Sequence, residues 1–421
     1  MHLKATSLLV GLCLPLLTQA ANSPSTVQSQ LKREIVRNYT QMAEANYEDA
    51  LKGAKKLDQR IGEFVRSAAQ IERPLPSLQK KFSRLKSTWK IQARWPYGQS
   101  EIFRFYNGPI DFEPINDGVT SYLESIDFQG VEGLLNAWPL DEAYIDYVQG
   151  APNAGIINDR SQKLTKDFLA LANERQGEKN ISTGYHAIEF LLWGQDRSLV
   201  SAGDRPLSDY VGENARNQDR RRKYLSLTSE LLVEHLKSVT EQWQSEEVNF
   251  RQEFVDQAAE KSLGEIMTSL IAMAGDELKS ERIENALLLG DQEEEQSCFS
   301  DATINDIYTN AQGMKNLYQG TYRSLNFPIM VKGKGIGDLL AKVSPELHQQ
   351  IEHRFEKLFT AIHFFYKKDN QGHVRLGDIA LPFDVAITEN KKRVQAIVDE
   401  LYHLDELFRK AAAQLGVKKS Q

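Results

Sequence analysis

From residue 27 to about residue 69 the apolar side chains fall at Leu31, Ile35, Tyr39, Met42, Tyr47, Ala50, Leu51, Ala54, Leu57, Ile61, Phe64, Val65 and Ala68. Gaps of mostly three and four residues gather them on one face of a helix, whereas a half-buried strand would alternate every second residue. The spacing predicts one long amphipathic helix. Pro74 and Pro76 end it, and a second helix is expected over about 77–94, stopped by Pro96 and Gly98. Shorter helices are expected over 101–106, 160–176 and 183–193. Between 107 and 155 the chain is punctuated by Gly108-Pro109, Pro114, Asp117-Gly118, Pro139 and Pro152, which predicts irregular structure.

A second helical block opens after Gly203-Asp204-Arg205-Pro206. Its helices are expected over about 208–248, 250–289, 301–325, 337–368 (with Pro345 opening a new turn) and 388–415. No run of four to eight alternating β-branched residues stands out. The expected fold is therefore all-α, two helical bundles packed together. The expected division is a leader over 1–20, an N-terminal bundle over 21–205 and a C-terminal bundle over 206–421.

The leader reading rests on a short basic start ending at Lys4, an apolar stretch from Ala5 to Leu17, and small residues at Ala20 and Ala21, the pattern of a secretory signal peptide. No segment approaches the roughly 20 apolar residues of a membrane span. Removal of Lys4 with the leader takes the formal net charge from -7 to -8, which argues against a nucleic acid partner. Cys13 lies in the leader and is preceded by Leu12, not by the small residue a lipidation box needs. Cys298 is then the one cysteine of the mature chain, so its stability must come from packing and not from an internal disulfide.

Three segments differ from ordinary bundle helix. Gly184-Tyr185-His186-Ala187-Ile188-Glu189 places an imidazole and a carboxylate one helical turn apart in an apolar run. A metal ion or an activated water could use the pair, and Gly184 would let a backbone or ligand approach closely. The same H-x-x-E spacing recurs at His353/Glu356 and His403/Glu406, in charged surroundings that predict solvated helix faces. The bland reading of His186 is a buried histidine held in one tautomer by Glu189. Zinc normally takes three protein ligands plus water, and no H-E-x-x-H signature is present. The second segment runs from Arg94-Trp95-Pro96-Tyr97 through Glu101 to Gly108-Pro109-Ile110-Asp111. Its aromatics suit a core, yet Tyr97 and Glu101 could supply oxygen ligands to a hard cation. The third, Asp291 to Ile304, reads first as a solvated acidic loop with Ser300 or Asp301 as helix cap, and second as a lined route for a cation, with Asp301 or Cys298 near the site.

Taken in their order along the chain, 94–111, 184–189 and 291–304, the three blocks resemble those of the imelysin family, iron-regulated envelope proteins with a G-x-H-x-x-E motif, matched here by Gly184, His186 and Glu189. The resemblance spans nearly the whole mature chain. It implies two helical bundles with the motif near their interface, a periplasmic role tied to iron acquisition, and a peptidase label. The third block departs from the family stretch E-H-x-C-F-S-D-N-T-H, since Gln296, Ala302 and Ile304 stand at two histidine positions and an asparagine position.

The leading expectation is a periplasmic, non-catalytic binding protein for a metal ion, iron or zinc, or for an iron chelate. His186 and Glu189 would be ligands or groups behind them, Glu101 a further ligand, and Arg94 and Tyr97 contacts for an anionic chelate. An outer-membrane uptake receptor is the partner such a role would call for. Two alternatives stand beside it: a metallopeptidase with His186 as ligand and Glu189 as base or ligand, and a helical envelope scaffold in which the motif is structural.

Overall fold

The computed structural model describes residues 24–70, 133–211, 216–245, 248–324 and 328–417. The leader, the helices expected over 77–94 and 101–106, and Arg94, Tyr97 and Glu101 lie outside the described residues. Among the described residues the regular secondary structure is helical apart from two small hairpins, so the all-α expectation holds.

Helix α1, Pro24–Gln70, is the long element expected from the spacing. Leu31, Ile35, Tyr39, Met42, Ala50, Ala54, Leu57, Ile61, Phe64 and Ala68 are all buried along it. The short helices α2 (Glu142–Ile145) and α3 (Lys166–Ala172) follow, then α4 (Gly184–Trp193) and α5 (Gln218–Trp243). Helix α1 lies against α5 along its length. Polar pins fix the pair: Ser229 Oγ donates to Asp58 Oδ1 at 2.6 Å, and Thr240 Oγ1 donates to the Tyr47 carbonyl at 3.4 Å.

The helix expected over 250–289 is instead four pieces: α6 (Phe250–Asp256), α7 (Ala259–Ala272), a π-helical stretch Met273–Glu284, and α8 (Asn285–Leu289). Asn249 caps α6 through its side chain, and the break lets Phe254 pack on Tyr39 at 5.4 Å and on Trp243 at 6.1 Å. Aromatic burial here outweighs the continuity that the sequence pattern suggests.

Helix α9 (Thr303–Gln319) leads into a hairpin of β1 (Thr321–Arg323) and β2 (Met330–Lys332), with Tyr322 opposite Val331. Asn38 of α1 donates to the Gly320 and Lys334 carbonyls at 2.9 and 3.0 Å, tying this hairpin down. Helices α10 (Ile336–Val343) and α11 (Pro345–Ile362) divide at Pro345, as expected. A second hairpin, β3 (Tyr366–Lys368) with β4 (Val374–Ile379), precedes α12 (Phe383–Glu389) and α13 (Lys391–Gln414). Helix α13 packs on α11, on α7 and on the π-helical stretch.

A buried ionic knot fixes the region around α4. Asp146 accepts from Arg205 Nη1 at 2.7 Å and from Arg221 Nε and Nη2 at 2.7 and 2.9 Å. Burial alone would raise the Asp146 carboxyl, but the two guanidiniums more than offset it and hold it below its ordinary value. Arg205 also donates to the Phe190 carbonyl, so the knot grips α4.

Candidate metal centre

All ten residues of α4 are buried. Gly184 opens the helix at φ +84°, and a Cβ there would lie 2.4 Å from the Leu135 carbonyl oxygen, which itself accepts from Tyr185 N at 2.8 Å. Only glycine allows this approach. The close neighbour is thus backbone, and it sets where the next two turns of helix begin.

One turn on, His186 Nδ1 lies 2.9 Å from Glu189 Oε2, both side chains being fully buried. The other carboxylate oxygen, Oε1, accepts from Ser300 N at 3.0 Å and Ser300 Oγ at 2.6 Å. Both oxygens of Glu189 are therefore committed. An ionised Glu189 favours the tautomer with the proton on Nδ1 and puts the imidazole lone pair on Nε2. The His186 ring packs 4.9 Å from Trp138, which stands edge-on to Phe299 at 5.6 Å, and Phe299 touches Phe190 at 5.3 Å. By contrast, His353/Glu356 and His403/Glu406 are exposed pairs with separations of 3.6 and 3.9 Å, the solvated faces expected of them.

The third block meets the motif through Ser300. It does not cap α9 with Ser300 or Asp301; the N-cap position is Ala302, with no side-chain cap bond. Asp301, at φ +54°, turns its carboxylate toward those of Asp196 and Asp384, so that one ligand atom from each lies within 4.8 Å of the others. Asp196 follows Gly194 by two residues, and Asp384 is the second residue of α12. Asp196 Oδ1 accepts from Ser198 N at 3.0 Å. Asp384 is 2 % exposed, and no side chain among the described residues donates to its carboxylate; the amides of Asp384 and Val385 lie near it, without full hydrogen-bond geometry. Glu295, 1 % exposed, lies near enough to feel all three.

Such crowding is costly. Two like charges 4.8 Å apart repel by roughly 3 kcal/mol at an effective dielectric of about 20. Burial, and then the neighbouring Asp384 and Asp196, push Asp301 up to about 8. Burial followed by Asp196 pushes Asp384 up to about 6, and Asp196 and Glu295 are raised too, by burial first. No ion pair among the described residues reaches Asp196, Asp301, Asp384 or Glu295. Protons on these acids, or a cation among them, would relieve the repulsion.

Asp196 also lines an open cleft of roughly 730 Å³, together with Tyr147, Gln149, Arg197, Ser198 and Arg205. One acid of the group thus belongs to a solvent-accessible wall. Cys298 is buried beside the centre, and burial, then Glu189, push its thiol well above the ordinary range. That removes it as a nucleophile.

The structure thus joins His186, Glu189, Ser300 and Asp301, as two of the three sequence blocks suggested. Asp196 and Asp384 were not among the expected residues. Gln296, Ala302 and Ile304 are all buried.

The arrangement defines a helical protein with a buried, carboxylate-rich centre beside a cleft. The sequence profile of the imelysin family, Peptidase M75, matches residues 43–409, and the chain belongs to that family. A Parabacteroides distasonis protein designated an iron-regulated protein A precursor has a similar fold, with a TM-score of 0.61 at 14 % identity, covering 92 % of this chain and 95 % of its own. An imelysin-like protein of Psychrobacter arcticus 273-4 aligns with a TM-score of 0.58, also at 14 % identity, over 93 % of this chain and 98 % of its own. No curated protein matches significantly.

Proposed function

We propose that this chain is an iron-linked cation-binding protein of the cell envelope with no hydrolytic centre, its metal site built around His186 and Glu189 as ligands or as supports of ligands. The observation that carries the reading is the commitment of both Glu189 oxygens to His186 and Ser300, one residue from the crowded carboxylate of Asp301. A metallopeptidase would need a Glu189 oxygen open to water as base, and further protein ligands besides His186. The carboxylates favour a bare cation over an anionic chelate, so Arg94 and Tyr97 are weaker candidates as chelate contacts, while Glu101 stays a candidate oxygen ligand.

Iron is the first metal to test, because the Parabacteroides neighbour carries an iron-regulated designation. The leader pattern supports delivery to the periplasm, where an outer-membrane uptake receptor would be the partner. No helix among the described residues is long and apolar enough to cross a membrane.

The test is elemental analysis of the mature protein, purified without a metal-affinity tag, beside a His186→Ala/Glu189→Ala variant shown to be folded. Near-stoichiometric iron in the wild type and less in the variant is the expected result. Zinc, together with peptide cleavage abolished by Glu189→Gln, would establish the peptidase alternative. Absence of metal from both proteins, even after reconstitution with iron, would overturn the proposal.

A further inference from the structure

The carboxylate group divides the labour of the centre. Asp196, Asp301 and Asp384 come from three separate places in the chain: the segment after α4, the loop before α9 and the first turn of α12. Each offers an oxygen within 4.8 Å of the others, and His186 and Glu189 are not members of that group. Asp384 supplies the second, independent observation: its carboxylate is almost fully buried, no side chain donates to it, only the amides of Asp384 and Val385 at the start of α12 lie near it, too poorly aligned for a full hydrogen bond, and it is directed at the other two acids. A buried carboxylate without a full hydrogen bond is expensive unless it is protonated or coordinates a cation.

We propose that Asp196, Asp301 and Asp384 are the direct ligands of a hard, oxygen-preferring cation, reached from the cleft along Asp196, and that Glu189 positions Asp301 through Ser300. This rests on the cation-binding reading above and names its ligand set. Three carboxylates and no thiolate or imidazole suit cations of the calcium, magnesium, manganese or iron(III) type better than zinc.

The experiment uses the metal-free mature chain with Mn²⁺ as probe, free Mn²⁺ being counted by electron paramagnetic resonance at pH 8, with Ca²⁺ and Zn²⁺ as competitors. One Mn²⁺ per chain is expected, displaced by Ca²⁺ more readily than by Zn²⁺. Asp384→Asn and Asp301→Asn should each weaken binding at least about tenfold. Glu189→Gln should weaken it less, and Glu406→Gln, in an exposed pair of the same spacing, not at all. Melting in EDTA separates ligand from scaffold: Asp384→Asn should match or exceed the wild type, because it removes a crowded charge, whereas a purely structural aspartate would lower the melting temperature. If Asp384→Asn does not fold, the less buried Asp301→Asn carries the test. Mn²⁺ bound equally by wild type and both aspartate variants overturns the ligand assignment and leaves the cation-binding reading standing. No Mn²⁺ or Ca²⁺ bound by the folded wild type overturns the ligand assignment; the cation-binding reading falls with it only if the same protein also takes up no iron on reconstitution.

Discussion

Ser300 donates twice to one oxygen of Glu189, from its backbone nitrogen at 3.0 Å and its hydroxyl at 2.6 Å, across 111 residues of sequence. The contact joins α4 to the loop that carries Asp301, and it occupies the oxygen that a hydrolytic glutamate would aim at water.

Ser300→Ala removes the hydroxyl bond and keeps the backbone one. A hydrogen bond to a charged acceptor contributes about 1.5–3 kcal/mol, and water reaching the half-buried site should recover part of it. Chemical denaturation is expected to show a loss of about 1–2 kcal/mol. Glu189→Ala should cost more, about 3 kcal/mol, because it strands the His186 ring and the Ser300 amide together and leaves a cavity.

Gly184→Ala is expected to be among the most damaging single changes in the chain. The φ of +84° and the 2.4 Å approach to the Leu135 oxygen act together. Backbone strain at such a position costs about 1–3 kcal/mol, and the clash adds to it. A fall in melting temperature of ten degrees or more, or recovery only as aggregate, would meet this expectation; a variant as stable as the wild type would contradict it.

Arg205→Met should destabilise by about 3 kcal/mol or more, since Asp146 and Asp209 lose a buried partner while Arg221 remains with Asp146. Urea unfolding of this variant, of the milder Asp209→Asn and of the double variant would measure how far the two losses are coupled.

The metal-free protein should become less stable as pH rises. Asp301 titrates near 8 and Asp384 near 6 in the folded chain, against an ordinary value of 3.8. The folded state therefore holds protons that the unfolded state has released, and the stability these groups contribute is full below pH 3.8 and lost as pH climbs through 6 and then 8. Melting curves in EDTA from pH 5 to 9 should fall more steeply for wild type than for Asp301→Asn. Mn²⁺ or Ca²⁺ should recover the loss at the alkaline end.

Much of the helical skeleton was legible because its signal is local and repeated. Residues Leu31 to Ala68 repeat at helical spacing along one face, and Pro345 marks the start of α11. The shorter signals misled. Residues 250–289 carry helical periodicity throughout, yet the chain breaks after Asp256 so that Phe254 can reach Tyr39 and Trp243, a contact no window of sequence contains. Three-residue strands such as β1 are too short to display alternation. At the centre, His186 and Glu189 were visible because one helical turn brings them together. Ser300 looked like a helix cap, since its partner lies 111 residues away. Asp196 and Asp384 gave no signal, because each is an ordinary acid until folding sets three of them face to face.

The Leu135 carbonyl against Gly184 gives the glycine of G-x-H-x-x-E a meaning separate from chemistry. It works as a registration mark: with no side chain to interpose, the helix can start at one height only, and the imidazole and carboxylate that follow are delivered to Trp138 and Ser300 without adjustment. A chain that kept histidine and glutamate but replaced the glycine would carry the same two groups to a different address.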